Sequence, residues 1–230
     1  MSDQQFHTTK LIHKLMISRD IMELRFERPA GFNFLAGQFV RFMVPSEGAS
    51  VFRPYSLSSA PQQADYLEFC AKILPDGKAS KYFLILNEGD SVSISQAQGV
   101  FVCQPRHVAR KMFIGTGAGV APIMSMIAGQ LSVSTEKIEL LFGVRNPQDV
   151  FWTDRLDELA MSYSNFKYQL TLSRPHDSWK GLRGRVSDHL THISFSAEYY
   201  ICGSVAMVKD VRSLLIIKGV DTKSIHCEIF

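Results

Sequence analysis

The chain has only four cysteines in 230 residues, and none stands in a CxxC or Cys-His spacing. Cys70, Cys103, Cys202 and Cys227 are scattered, which supports neither a zinc site nor a cluster-binding loop and makes free thiols in a reducing compartment the expectation. Excess charge of one sign is equally scarce. Lys and Arg number 25 against 22 Asp and Glu, a formal +3 with no long basic run, which argues against nucleic acid or a membrane as partner. Residues 1–20 lack a continuous apolar core, which excludes an ordinary signal peptide. The single long apolar run, Met112 to Gly129, is broken by four glycines, a proline and two hydroxyl side chains, which excludes a membrane span. What is present is 46% hydrophobic content, enough for two modest domains. The expectation is a cytoplasmic monomer.

The first hundred residues read as strands. Met22, Leu24 and Phe26 alternate with Glu23 and Arg25, and Phe39, Arg41 and Met43 alternate with Val40, Phe42 and Val44. This is the period of half-buried strands. Leu67 and Phe69 repeat it, then Val92 and Ile94. Turn residues at 29–31, 36–37, 61–65 and 88–90 separate the runs at the spacing of an antiparallel barrel. One helix is expected from Ala79 to Leu86. Gly77-Lys78-Ala79-Ser80 at its start offers either a serine N-cap or free backbone N–H groups for a phosphate.

One strand is unusual. Arg53-Pro54-Tyr55-Ser56 places Arg53 and Tyr55 on one face and Pro54 and Ser56 on the other. Pro54 cannot donate to a ladder, so the strand is expected at a bulge or an edge. A cation, a ring and hydroxyls presented together suit a flat, anionic ligand.

After Pro105 the period changes. A short strand, Lys111 to Ile114, enters Gly115-Thr116-Gly117-Ala118-Gly119-Val120-Ala121-Pro122, after which Val120, Ile123, Met124, Ile127 and Leu131 share a helical face. Glycines there let the backbone approach a diphosphate, and Pro122 suits the first helical turn. The spacing is not GxGxxG, so the dinucleotide fingerprint is absent. Strands follow at 138–142, 168–172, 198–201 and 224–230, with helices expected at 152–160, 186–193 and 205–218. Such alternation implies a parallel sheet with helices on both faces, and ligands bind these sheets at the carboxyl ends of the strands. Gly115, Gly143-Val144-Arg145, Ser173-Arg174 and Cys202-Gly203-Ser204 all fall there. His189 and His192 read as a solvated face, and Arg106, Arg110 and Lys111 as a solvated basic linker.

In this order the motifs resemble the ferredoxin:NADP reductase superfamily, in particular reductase components of bacterial oxygenases and bacterial ferredoxin or flavodoxin reductases. The resemblance spans nearly the whole chain. It implies a Greek-key FAD-binding β-barrel over 1–105 and an NAD(P)-binding α/β domain over 106–230. It implies that Arg53 pairs with an FAD phosphate, that Pro54 and Tyr55 flank the flavin, and that the Ser56 hydroxyl lies near N5. Cys70, Lys72 and Ile73 would line the flavin, and Gly77, Lys78, Ala79 and Ser80 would hold its diphosphate. Gly115, Thr116, Gly117, Gly119 and Pro122 would receive the nicotinamide dinucleotide. Cys202, with Gly203 and Ser204, would lie against the nicotinamide; by residue type alone Cys202 is equally a small buried apolar residue. Glu228 would relay a proton and Phe230 stack on the flavin, in an ending with Phe where the family carries Tyr. Arg145, Ser173, Arg174, Arg183 and Arg185 would meet the adenosine end. The wider stretch from Leu172 to Val186 resembles reductases that use NADH, and NADH is the expected donor.

The implied activity is hydride transfer from NADH or NADPH to FAD, with single electrons leaving to a ferredoxin, flavodoxin or oxygenase-associated iron–sulfur protein. Alternatives are a reductase of free flavin or quinone and a flavin-binding subunit without turnover.

Overall fold

A computed structural model of the chain describes residues 6–46, 48–104, 108–191 and 193–230. Arg106 and His192 lie outside them. Two compact units emerge, Met1–Cys103 with Met124–Gly129, and Gln104–Ile123 with Gln130–Phe230.

The first unit contains β1 (Phe6–Met16), β2 (Ile21–Glu27), β3 (Phe39–Val44), β4 (Val51–Ser56), β5 (Tyr66–Lys72), α1 (Lys78–Ile85) and β6 (Ser91–Ser95). The strands form one antiparallel sheet in the order β4-β3-β6-β1-β2-β5. β1 pairs with β6 through Lys10 and with β2 from Leu11 onward, and an irregularity between Leu11 and His13 bends it at the change of partner. The two edges meet where Leu57 bridges Phe69, so the sheet curls into a barrel. Alternation sets the interior: Val40, Phe42 and Val44 are buried while Phe39, Arg41 and Met43 are only partly so. The Phe42 ring lies 4.9 Å from Phe69, 5.3 Å from Phe26 and 5.3 Å from Phe83. Packed aromatic pairs of this kind each add about 0.5–1.5 kcal/mol beyond area burial. The Phe83 contact also seats α1 on the barrel.

The second unit is built on β7 (Arg110–Thr116), β8 (Lys137–Val144), β9 (Phe166–Leu172), β10 (Leu182–Arg183), β11 (Ala197–Gly203) and β12 (Ile225–Ile229). They form a parallel sheet in the order β10-β9-β8-β7-β11-β12. The unit's helices are α3 (Thr153–Ser162), α4 (Val205–Ile217) and the two ends of α2 (Val120–Leu131), whose middle, Met124–Gly129, belongs to the first unit. Ile114 and Ile201 point to the face where Val208, Val211 and Leu215 of α4 pack. Lys111 points to the opposite face and reaches Gln130 of α2, so helices cover both sides. Among the described residues no helix is long and apolar enough to cross a membrane.

Three local expectations fail. The helix expected over 186–193 is a single 3-10 turn, Val186–His189. Asp188 Oδ2 accepts the Arg185 amide at 2.7 Å, and His189 Nε2 lies 3.0 Å from Thr171 Oγ1 and 3.1 Å from Arg183 O. Tertiary bonds therefore capture the segment, and His189 is a tied side chain rather than a solvated one. Lys111 is not on a solvated linker either. It is 3% exposed and bonds to Gln130 Oε1 at 2.9 Å and to Glu136 Oε2.

Candidate functional site

In the first unit the site is built on β4, an edge of the barrel sheet. Pro54 sits there because an edge strand loses little when one N–H is missing. Tyr55 turns inward, 5.7 Å from Phe42 and 5.1 Å from Phe83, and burial pushes its hydroxyl up to about 12, opposed by Arg53. The exposed Arg53 guanidinium donates to the Phe52 carbonyl at 2.9 Å, leaving further donors for an anion. Ser56 ends the strand 4% exposed, and its Oγ has no hydrogen-bond partner among the described residues. Leaving a buried hydroxyl unpaired costs about 1–3 kcal/mol. A heteroatom of a bound flavin ring would remove that cost, so the residues present fit FAD.

The Tyr55–Phe83 contact seats α1 beside this strand. Gly77 is the N-cap and supplies no side-chain bond, so the first N–H groups of α1 have no capping side chain. Ser80 is therefore not the cap. Its Oγ accepts the Leu74 amide at 2.9 Å, and its hydroxyl proton remains available. Lys78 Nζ reaches Ser46 Oγ at 2.9 Å. Ala79 is buried beneath the turn. Cys70 is 5% exposed within β5. Lys72 is instead drawn to Asp20 Oδ2 at 3.1 Å, and the Ile73 amide to Asp20 O at 2.7 Å.

In the second unit the carboxyl ends of β7, β8, β9 and β11 come together. Gly115 and Thr116 end β7, and Gly117–Gly119 form a 3-10 turn that runs directly into α2, with Pro122 in its first turn. A Cβ on Gly119 would lie 2.5 Å from the Cys202 carbonyl, so only glycine lets the turn pack on β11. Gly117 has φ +54 with nothing within 4 Å of a Cβ, a left-handed residue facing open space. A glycine turn opening a helix, with free space above it, fits a dinucleotide diphosphate.

Cys202 is fully buried, paired in register with Gly115 on one side and Glu228 on the other. Burial, then the nearby Glu228 charge, pushes its thiol far above the usual range, so it stays protonated. Gly203 O accepts the Phe230 amide at 3.1 Å, and the Phe230 ring is 54% exposed. Ser204 Oγ caps α4, accepting the Met207 amide at 3.4 Å.

The arginines divide. Arg183 Nη2 donates to the carbonyls of His176, Asp177 and Trp179 at 3.1, 2.9 and 2.9 Å, so it is spent on its own loop. Arg185 Nη1 lies 3.8 Å from Asp210. The Ser173 amide donates to Val144 O at 3.1 Å and the Arg174 amide to Arg145 O at 2.7 Å. Arg145 and Arg174 therefore stand side by side, exposed, with no side-chain partner among the described residues.

Comparisons with known proteins identify the kind of domain that each unit is. Residues 8–102 match the family model for an oxidoreductase FAD-binding domain, and residues 113–213 match that for an oxidoreductase NAD-binding domain. The chain is 32% identical to ferredoxin–NADP reductase B of Sorangium cellulosum over 95% of each chain. It is 31% identical to the ferredoxin–NAD(P)(+) reductase component of the Ralstonia sp. naphthalene 1,2-dioxygenase/salicylate 5-hydroxylase systems, covering 93% of this chain and 65% of that longer one. A solved ferredoxin NADP+ reductase from Neisseria gonorrhoeae, with bound FAD and NADP, superposes with a TM-score of 0.86 at 25% identity, covering 99% of both chains. With both family models matched in order and a relative 32% identical over 95% of each chain, the chain belongs to the ferredoxin:NADP reductase family of FAD- and NAD(P)-dependent oxidoreductases.

Proposed function

We propose that this oxidoreductase takes hydride from NADPH onto FAD and passes the electrons singly to a ferredoxin, a flavodoxin or an oxygenase-associated iron–sulfur protein. Bound FAD supplies the chemistry that converts a two-electron donor into a one-electron source. Residues 1–105 bind FAD and residues 106–230 bind the nicotinamide dinucleotide. Arg53 and the start of α1 neutralise the FAD diphosphate, Tyr55 packs along the flavin, and the Ser56 hydroxyl donates to its ring. Cys202, neutral and small, forms the floor against which the nicotinamide rests, and the Glu228 carboxylate beside it can take up and release a proton. Free thiols support a cytoplasmic location, and the chain is proposed to act as a monomer. The observation that carries the reading is the buried Ser56 Oγ without a partner, at the end of the Arg-Pro-Tyr-Ser edge strand. Stopped-flow reduction of the purified protein by each nicotinamide, followed by mixing with candidate carriers, tests it. Rapid bleaching and transfer to a ferredoxin are expected; oxidation by free flavin or quinone alone would replace the acceptor class, and no bleaching would leave a binding subunit.

The donor preference turns on the arginines. The resemblance of the 172–186 stretch favours NADH, but the adjacent, unspent Arg145 and Arg174 favour a 2′-phosphate. Two exposed pairings at roughly 1 kcal/mol each give about a thirtyfold NADPH preference. In the Arg145→Ala/Arg174→Ala variant the ratio of kcat/KM for the two donors is expected to fall to near unity, and in wild type to shrink with salt. A salt-independent ratio unchanged in the variant would exclude this pair as the 2′-phosphate site.

Phe230 gives a smaller effect. Its exposed ring is proposed to compete with nicotinamide for the flavin face, at about 0.5–1.5 kcal/mol. Phe230→Ser is expected to strengthen the charge-transfer band formed with oxidised nicotinamide, and a weaker band would refute the covering role.

A further inference from the structure

Glu68 is a buried charge that the proposed chemistry leaves unexplained. It lies within β5, 1% exposed, between Leu67 and Phe69 of the barrel core, so it faces away from that core and is still sealed from water. Its Oε2 accepts from Arg25 Nε at 3.0 Å and its Oε1 from Ser58 Oγ at 2.9 Å. Arg25 Nη2 also reaches Glu23 Oε1 at 2.8 Å, which steadies the guanidinium. The main chain of Glu68 grips the same segment. Its carbonyl accepts the Ser58 amide at 2.8 Å, and its amide donates to Ser59 Oγ at 3.1 Å. Ser59 O accepts from Ser125 Oγ at 2.6 Å, within the same compact unit. Leu57, the one residue between this clasp and Ser56, donates its amide to Gln38 O at 3.0 Å.

Residues 57–59 are thus held on every side while the hydroxyl just before them has no partner. Desolvating a carboxylate is strongly unfavourable, and an uncharged pair would hold an ordinary connection as well. A fixed carboxylate resists displacement where a neutral contact would yield, which is what a catalytic hydroxyl needs from the residues behind it. We propose that Glu68, acting through Ser58, is a positioning residue that holds Ser56 Oγ in place for hydride transfer to the flavin. This rests on the reading of Ser56 as the hydroxyl that meets the flavin ring.

The test combines single-turnover reduction of the FAD-loaded protein by NADPH with hydrogen exchange at the amides of residues 57–59 in the same variants without FAD. Ser58→Ala and Glu68→Gln are each expected to slow reduction about tenfold at unchanged FAD content, since small misplacements are costly in rate. They should also raise exchange at the Leu57 and Ser58 amides, and add little when combined with Ser56→Ala. Ser56→Ala reducing at the parental rate would refute the reading of Ser56 itself. Ser56→Ala slow but Ser58→Ala at the parental rate would overturn the positioning role alone. Full additivity with Ser56→Ala would overturn it too. If Glu68→Gln does not fold, Ser58→Ala decides, because it keeps the Arg25–Glu68 pair.

Discussion

Glu136→Ala is expected to destabilise the second unit by about 3–5 kcal/mol, the cost of stranding a buried cation. Lys111 is only 3% exposed, and its ammonium bonds to Glu136 Oε2 and Gln130 Oε1, while Glu136 Oε1 also takes the Val108 amide at 3.1 Å. Without Glu136 the ammonium keeps one neutral acceptor. Lys111→Met/Glu136→Leu removes both charges together and is expected to lose far less, since well-packed apolar replacements of buried pairs are often nearly neutral. The sign of the pH dependence follows. Burial alone would raise the Glu136 carboxyl, but the Lys111 hydrogen bond, the Val108 amide and the Lys111 charge outweigh it and hold the carboxyl below its usual value. Its contribution is therefore complete above the unfolded-state pKa and is lost as pH falls through the lower folded value. Calorimetry of the whole chain from neutral pH to pH 3 measures both effects. A single variant within about 1 kcal/mol of the parent at neutral pH, or a double variant worse than the single, would contradict the buried pair.

Arg53→Ala should release FAD with a ten- to hundredfold loss of affinity. A hydrogen bond to a charged group contributes about 1.5–3 kcal/mol, and Arg53 is the exposed cation on the edge strand that carries Ser56. Arg41 is the control. It stands opposite Pro54 on β3, so its side chain leaves the sheet on the other side from Arg53. Arg41→Ala should retain FAD at parental affinity, and the Arg53 effect should weaken with salt because the contact is exposed. FAD fluorescence during dilution reads both. Equal retention in the two variants would exclude Arg53 as the phosphate ligand.

Local chemistry made much of this protein legible before folding. Period-two alternation at Phe39–Val44 determined both a strand and its inward face, because successive side chains must point oppositely. Pro54 limited its strand to an edge or a bulge, since it has no N–H to donate, and the sheet order decided for the edge. The change of period after Pro105 and the glycines of 115–119 determined a strand, turn and helix, because only glycine tolerates the left-handed turn at 117 and the close approach at 119. The tertiary structure decided the charges. Glu68 and Lys111 occupy positions that read as solvent-facing, and each is buried because its partner comes from a distant part of the chain: Arg25 lies 43 residues from Glu68 and Glu136 lies 25 from Lys111. The arginines divided for the same reason. Arg183, Arg145 and Arg174 are equivalent as residue types, but folding the 176–179 loop onto Arg183 supplies three carbonyls, while the parallel register of β8 and β9 leaves the other two side by side. Periodicity and turn chemistry act over a few residues and can be read locally; the fate of a charge depends on which remote donors or acceptors the fold brings within 3 Å or so, and no local pattern encodes that.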